Sequence, residues 1–309
     1  MLPPEVLALG TAICTAFSSM LAAEIGRHGD ILAFSRWKML FGAALTLAIA
    51  TAIGAWPSLA PWHLGAFALS GLLGIVVADP AFTASVLRLG ARRAMLVFAL
   101  SAPMAALLGY LLLGESLAPR QAGGILLVFA GVALVVLFGG PERSDGLPAA
   151  ADESVDSPAG TAARKATLVG LAFGRVAALG QAGGHVAARP AMADQADPMA
   201  AMAVRVAFSA LAFVAIAALP YGRRMGGAAL GPRFYVLAAL SSGFGMVLGM
   251  TLLMMALADG NVGIVSTLAS LTPVAVLPMV WLRTGRRPSW RAWAGAALAA
   301  GGTALIFLR

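Results

Sequence analysis

Ten long apolar stretches, separated by charged, proline-rich or glycine-rich segments, constrain this chain more than any other feature. Each is close to the length of about 20 residues that an α-helix needs to cross a bilayer. Backbone groups inside a bilayer must bond within the segment, which favours helices. The sequence therefore predicts an all-α membrane protein with ten transmembrane helices, at about residues 5–24, 31–53, 63–87, 93–113, 119–138, 166–187, 198–219, 233–257, 262–282 and 289–308.

The composition excludes a water-soluble domain and several kinds of chemistry. Hydrophobic residues make up 60% of the 309 residues and charged residues 11%, whereas a soluble domain is about a quarter charged. Cys14 is the only cysteine, and the three histidines are far apart, so we expect no disulfide, no metal site and no cofactor. The net charge of +8 comes from basic residues that flank apolar stretches, which favours contact with membrane lipid rather than with nucleic acid.

One polar segment divides the chain. Residues 139–165 hold eight charged side chains among alanine, serine, glycine and proline, a composition that cannot bury a core. The sequence predicts a first five-helix repeat over residues 1–138, a disordered linker over 139–165 and a second five-helix repeat over 166–309.

The two halves repeat each other. Pro103 in the fourth span aligns with Pro273 in the ninth, and Arg36 near the start of the second span matches Arg205 in the seventh. Because each half has five spans, an odd number, the second half enters the membrane the opposite way up. Such inverted repeats place a substrate site near the midplane of the bilayer, between the halves.

Short motifs accompany this duplication. The fourth and ninth spans carry LSAP at residues 100–103 and SLTP at 270–273, and GESLAPRQAGG follows at 114–124. In this order the motifs resemble those of EamA-type members of the drug/metabolite transporter superfamily, although the second copy has Arg286 where the first has Glu115. The resemblance implies export of amino acids and other small metabolites through a central cavity lined by spans 1, 3, 4, 6, 8 and 9.

Basic residues are distributed unevenly between the loops. Sixteen Lys and Arg residues lie beside loops that follow odd-numbered spans and three lie on the other side. The positive-inside rule then puts the odd-numbered loops and the linker in the cytoplasm and both termini outside. The resemblance implies cytoplasmic termini instead. We give the charge distribution more weight because its bias recurs in all five loops, and we expect a bacterial inner-membrane protein.

Two charged residues lie deep in predicted spans. Asp79 is just past the middle of the third span and is followed by Pro80, and Arg175 is close to the centre of the sixth. Charges in hydrocarbon are costly, so they usually face a cavity or a partner. We predict that both face one cavity, where they either form a fixed ion pair or bracket a zwitterion, with Asp79 binding the ammonium and Arg175 the carboxylate.

Neutral polar side chains near the predicted cavity are further candidates for substrate binding. They are Gln181, Ser101, Ser270 and Thr272. The alternative for such residues beside membrane prolines is that they bond to backbone groups that the prolines free.

Prolines inside spans are candidate hinges. Pro103 and Pro273 occupy matching places, and Pro80 follows Asp79. Each is expected to remove a helical hydrogen bond and to kink its span. The competing interpretation is that they only shape the packing of the helices.

Other polar residues have weaker claims. Asp79, Glu24 and His185 are candidates for proton coupling, although Glu24 and His185 are placed at span ends, where solvation is the simpler explanation. For Arg36 and Arg205 a scaffold role such as snorkelling is favoured. The glycines of the eighth span are assigned to close packing, and its four methionines to the lipid-facing surface.

These features predict a secondary transporter of small metabolites, amino acids or related compounds, that works by alternating access as a monomer or homodimer. The chain contains no GxxxxGK[ST] motif for ATP and no HExxH or GxSxG motif for hydrolysis, which disfavours a pump or an enzyme. A channel or a lipid flippase remains an alternative.

Overall fold

The computed structural model describes residues 2–25, 31–138, 158–218, 231–285 and 287–307, and the regular secondary structure in these ranges is helical throughout. The second, sixth and tenth predicted spans are helical, and that they cross the membrane stays a prediction. Within the described ranges, seven stretches are long and apolar enough to cross a membrane: Pro4–Ala22, Pro61–Leu89, Arg93–Leu113, Pro119–Phe138, Pro198–Ala215, Pro232–Asp259 and Val262–Arg283.

Proline begins six of the described helices, where its fixed φ suits the first turn and its missing N–H is not needed. The helices of the first half are α1 Pro4–Ile25, α2 Ile31–Ala52, α3 Pro61–Gly71, α4 Ala78–Leu89, α5 Ala91–Phe98, α6 Ser101–Leu113 and α7 Pro119–Phe138. Those of the second half are α8 Pro158–Ala193, α9 Pro198–Ala218, α10 Pro232–Ser242, α11 Met250–Asp259, α12 Val262–Ala269, α13 Thr272–Thr284 and α14 Trp290–Phe307.

The boundary of the linker differs from the predicted one. Helix α8 begins at Pro158, so residues 158–165, assigned to a disordered linker, are helical. Alanine and lysine favour helix, and the helix continues directly into the apolar sixth span. The rest of the predicted linker, residues 139–157, lies outside the described residues.

Two glycines end equivalent helices of the repeats. Gly114 follows α6 with φ of 66°, and Gly285 follows α13 with φ of 67°. Glycine adopts this left-handed conformation without strain, which makes it the usual residue after a helix. The fourth and ninth spans therefore end in the same way in the two repeats.

The repeats pack against each other with approximate two-fold symmetry. Helix α2 packs on α9 and α7 on α14, each with its own repeat mate. Helix α1 packs on the eighth span, and its mate α8 packs on the third. Large aliphatic side chains such as Leu126 and Leu282 remain exposed, as expected of a surface that faces lipid rather than water.

Glycines allow α7 and α14 to approach closely. A Cβ on Gly302 would lie 2.7 Å from the Gly124 carbonyl oxygen, and one on Gly131 would lie 2.6 Å from the Gly295 carbonyl oxygen. Real Cβ atoms do not come this near to backbone atoms, so the two helices could not pack in this way with any larger residue.

This contact gives a first prediction. Gly302→Ala is expected to destabilise the protein by about 1–3 kcal/mol because a methyl group must push α7 and α14 apart. Gly301→Ala is the matched control, since a Cβ on Gly301 meets no atom within 4 Å. Thermal unfolding in detergent measures both variants. Equal unfolding temperatures for the two would contradict the close approach.

Candidate functional site

The helical hydrogen-bond pattern changes at the middle of the third and eighth spans. A π-helical segment at Leu72–Val77 joins α3 to α4, and a second at Gly243–Gly249 joins α10 to α11. The first segment packs against α8 and α9, and the second against α1 and α2. Short π-helical turns are frequent at functional sites. Each of these segments contacts the first two spans of the opposite repeat.

Serines just before the two segments establish the register of the repeats. Ser70 Oγ donates a hydrogen bond to the carbonyl of Gly184 on α8. Ser241 Oγ donates a 3.1 Å hydrogen bond to the carbonyl of Ser18 on α1. Ser70 is therefore equivalent to Ser241, and Gly184 to Ser18.

The same register pairs Arg205 with Lys38. A Cβ on Gly71 would lie 2.7 Å from the Arg205 carbonyl oxygen. Ser242, the equivalent of Gly71, donates a 2.8 Å hydrogen bond to the Lys38 carbonyl oxygen. The predicted match of Arg36 with Arg205 is therefore wrong by two residues.

Both cationic side chains reach a glycine in the π-helical segment of the opposite repeat. Arg205 Nη2 lies 3.4 Å from the position of a Cβ on Gly74. Lys38 Nζ lies 3.7 Å from the position of a Cβ on Gly245. The structure thus brings two repeat-related cations to the two irregular segments at the interface between the repeats.

Asp79 lies in the first turn of α4, shortly after the first π-helical segment. Its carboxylate interacts electrostatically with the Lys38 ammonium, and no direct ion pair joins the two among the described residues. The side chain of Asp79 is exposed and that of Lys38 is half-buried. We infer that the two charges attract each other across an open internal space.

Arg175 is not the cationic partner of Asp79. It lies on an exposed stripe of α8 with Leu168, Val176 and Leu179, whose side chains are 58%, 44% and 48% exposed. The glycines that contact the third span lie on the opposite side of this helix. Arg175 therefore lies on the exposed stripe of α8, away from the face that packs on the third span. The predicted pairing with Asp79 is corrected to Lys38.

Arg205 is almost completely enclosed, with 1% of its surface exposed. Its Nη1 donates to the sulfurs of Met254 at 3.3 Å and Met202 at 3.8 Å, and its Nε has no hydrogen-bond partner among the described residues. The expectation that Arg205 snorkels to the membrane surface is wrong, because the side chain is buried between helices. Met254 and Met246 of the eighth span are also buried, rather than facing lipid as predicted.

Gln181 and His185 form a polar chain beside Arg205. Gln181 Nε2 and His185 Nε2 are 2.9 Å apart, and His185 Nδ1 lies 2.8 Å from Ser266 Oγ on α12. His185 was expected at the end of the sixth span, but α8 continues to Ala193 and His185 is buried. The chain connects the sixth span to the ninth, and the Gln181 amide oxygen points toward the same glycine, Gly74, as the Arg205 guanidinium.

The hydroxyl candidates near the prolines bond to the backbone. Ser270 Oγ donates to the Thr267 carbonyl at 2.7 Å, and Thr272 Oγ1 donates to the Ala269 carbonyl at 3.1 Å. These bonds fit the alternative in which such residues satisfy backbone groups near a break in the helix. Ser101 begins α6 and is half-buried.

All three candidate hinge prolines lie in the first turn of a helix that follows an irregular segment. Pro80 is third in α4, Pro103 third in α6 and Pro273 second in α13. Turns precede Pro103 and Pro273, so these two prolines follow a break instead of kinking a continuous helix. Pro80 lies in a continuous span, because the π-helical segment runs directly into α4. The fourth and ninth spans are broken at corresponding places, and whether they pivot there stays a prediction.

An ion pair joins the repeats at the end where the fourth and sixth spans finish. Glu115 Oε1 lies 3.4 Å from Arg189 Nε, and both side chains are largely shielded from solvent. Glu115 Oε2 also accepts a 2.8 Å hydrogen bond from the backbone N–H of Val262, at the start of α12. Arg189 in turn donates to the Ala258 carbonyl at 3.0 Å. Glu115, from the GESLAP motif, thus links the fourth span to the sixth and ninth.

Another set of ion pairs joins the repeats at the opposite end. Glu24, at the end of α1, accepts hydrogen bonds from Arg283 of α13 and, at 3.0 Å, from Arg233 of α10. Glu24, a candidate for proton coupling, bonds to two arginines. Because α1 is the repeat mate of α8, and α13 of α6, this contact joins the same two kinds of span as Glu115 with Arg189 does. The residues themselves are not equivalent, since the register of Gly114 with Gly285 places Leu112 at the position of Arg283.

Two helical repeats with charged residues at their interface are an architecture found in membrane transporters. Comparison with known families agrees with this class. The EamA-like transporter family matches residues 2–137 and 168–308, once in each repeat. The chain therefore belongs to the EamA-like transporter family and is an integral membrane protein. The family consists of transporters and not of enzymes.

The fold is also similar to a solved structure. A protein described only as "Crystal structure of protein" has a TM-score of 0.75 against this chain and 19% sequence identity, over 99% of this chain and 96% of that one. This likeness concerns the fold alone. No curated protein matches the chain.

Proposed function

We propose that this protein is a secondary transporter that exports small zwitterionic metabolites, amino acids or related compounds. The observation that supports this proposal is that the opposite charges of Asp79 and Lys38 interact electrostatically, while no direct ion pair joins them among the described residues. The Asp79 carboxylate would bind an ammonium group and the Lys38 ammonium a carboxylate. A zwitterion bound between them would replace the water molecules that solvate the two charges in its absence.

Alternating access is the proposed mechanism. The two inter-repeat ion pairs lie at opposite ends of the molecule and join equivalent helices of the two repeats. Opening one end requires that its ion pair separate while the other pair stays formed, which gives each end its own gate. The broken fourth and ninth spans carry one partner of each pair, Glu115 and Arg283, so motion of these spans changes both gates.

The energy source in this proposal is a gradient of solute or protons. Asp79 is the favoured group for proton coupling, because its side chain is open whereas His185 is enclosed in a hydrogen-bonded chain. The remaining partners are membrane lipid around a monomer or homodimer, and the location is the bacterial inner membrane with the linker in the cytoplasm.

Uptake into proteoliposomes tests the function. Purified protein is reconstituted and given labelled amino acids and uncharged sugars, with and without a pH gradient. Saturable uptake of zwitterions that unlabelled zwitterions inhibit, with no uptake of sugars, is expected. Sugar uptake at the same rate, or release of every small solute alike, would replace this proposal by a channel.

The orientation has its own test. In inside-out vesicles, added protease is expected to cleave the chain within residues 139–157, because the positive-inside rule places the linker in the cytoplasm. Right-side-out vesicles should protect it. Cleavage with the opposite preference would show that the basic residues lie outside.

A further inference from the structure

Repeat symmetry gives the two central cations different surroundings. The Lys38 ammonium interacts electrostatically with the Asp79 carboxylate. Carried across the repeat register that pairs Ser70 with Ser241, the position of Asp79 falls on Met250. Arg205, the counterpart of Lys38, therefore has a methionine where Lys38 has an acid.

The surroundings of the Arg205 guanidinium contain no carboxylate among the described residues. Its hydrogen-bond acceptors there are the sulfurs of Met202 and Met254, and Nε has no acceptor. Thioether sulfur is a weak acceptor, and a guanidinium stays charged in proteins. An enclosed cation of this kind is costly unless an anion pairs with it in some state of the protein.

We propose that Arg205 binds a carboxylate group of the transported solute, so that the preferred substrates carry a net negative charge in addition to their ammonium group. This inference rests on the proposed function and deepens it. The charges of Asp79 and Lys38 balance each other, and together the two residues bind the ammonium and one carboxylate of a zwitterion. Arg205 then binds a second carboxylate. The chemical class is the dicarboxylic amino acids and related organic anions.

The shape of the side chain fits this role. A guanidinium presents parallel N–H donors that match the two oxygens of a carboxylate, and here Nε is the donor left over. Nη2 of Arg205 and the Gln181 amide oxygen both lie beside Gly74, 3.4 Å and 3.9 Å from the position of a Cβ there. Because Arg205 is sealed in this structure, the solute reaches it only when the layer formed by the first π-helical segment moves away.

Binding in detergent tests the proposal without transport. The matched probes are L-glutamate and L-glutamine, which differ in one charge and have nearly the same shape. Wild-type protein is expected to bind glutamate at least about tenfold more tightly, from one charge-assisted contact. Arg205→Gln should lose this preference, and Arg205→Lys should retain part of it. Arg175→Gln, on the exposed stripe of α8, is the matched control and should behave as wild type.

Three outcomes would overturn the proposal. Equal affinity of the wild type for both probes excludes selection by charge. An unchanged preference in Arg205→Lys and Arg205→Gln assigns the selection elsewhere. Displacement of glutamate by chloride, with gluconate inert, assigns Arg205 to an inorganic anion. If Arg205→Gln does not fold, Arg205→Lys decides alone.

The proposed function fails separately from this inference. If glutamine and glutamate are taken up equally, the protein still transports zwitterions, but Arg205 does not select a second carboxylate. If glutamate binds through Arg205 but is not taken up, the anion site is supported and the proposed transport function is wrong.

Discussion

Asp79→Asn is expected to lower solute uptake by about 100-fold, because it removes the charge-assisted interaction with the ammonium group of the solute. Asparagine keeps the size of the side chain but cannot attract a cation. Because the side chain of Asp79 is exposed and makes no ion pair with described residues, the protein should fold and unfold as wild type does. Initial uptake rates in proteoliposomes, normalised to reconstituted protein, measure the effect.

Two further variants decide what Asp79 does. Lys38→Gln should lower uptake as well, since it removes the partner charge, whereas Arg175→Gln should leave it unchanged. The exchange of both charges, Asp79→Lys with Lys38→Asp, should restore part of the uptake if the two residues bracket the solute. Normal uptake by Asp79→Asn would return this carboxylate to a purely structural role.

The sequence predicted the architecture because the bilayer imposes strong and simple constraints. Apolar length and the absence of backbone partners in lipid favour helices, and the duplicated motifs imply the inverted repeat. The linker was harder to bound, because alanine-rich sequence such as residues 158–165 is compatible with both coil and helix. A neighbouring apolar span that extends the helix decides between them.

The charged site was only half predicted. Asp79 was recognised because an isolated acid in a span is conspicuous. Lys38 was counted with the loop because it lies near the start of the second span, and only the contact of that span with Gly245 shows that its ammonium reaches the interior. The position of Lys38 along its own helix does not reveal which neighbouring helix its side chain contacts. That information comes only from the packing of the spans in the structure.

Helical periodicity held information about Arg175 that depth alone did not. Leu168, Ala172, Val176 and Leu179 recur at intervals of three and four residues and define an apolar face that includes Arg175. The small residues of the same helix, among them Gly180 and Gly184, form the opposite, packed face. Identifying the face that holds the glycines would have placed Arg175 on the opposite, exposed face.

The register of the repeats illustrates a different limit. Aligning like residues paired Arg36 with Arg205, since both are arginines near the start of a span. The contacts of Gly71 and Ser242 pair Arg205 with Lys38 instead. The two repeats share the contact at the backbone carbonyl, whereas the charged side chain at that position is arginine in one repeat and lysine in the other.

Locking either inter-repeat ion pair is expected to stop transport, because each end must open once in every cycle of alternating access. Cysteines replace Glu115 and Arg189 in one variant and Glu24 and Arg283 in another, both in a Cys14→Ala background. A short cross-linker with two thiol-reactive groups joined by a reducible bond should reduce uptake to background in both variants. Reduction should restore it.

Charge variants separate the gate from the fold. Glu115→Gln keeps an acceptor for the Val262 N–H and removes only the attraction to Arg189, so this end should open more readily. In that variant, a cysteine placed on the path behind the gate should react faster with a water-soluble thiol reagent, while the unfolding temperature changes little. Full transport by cross-linked protein at one end would mean that this end does not open, and alternating access would give way to a route that leaves both ends closed.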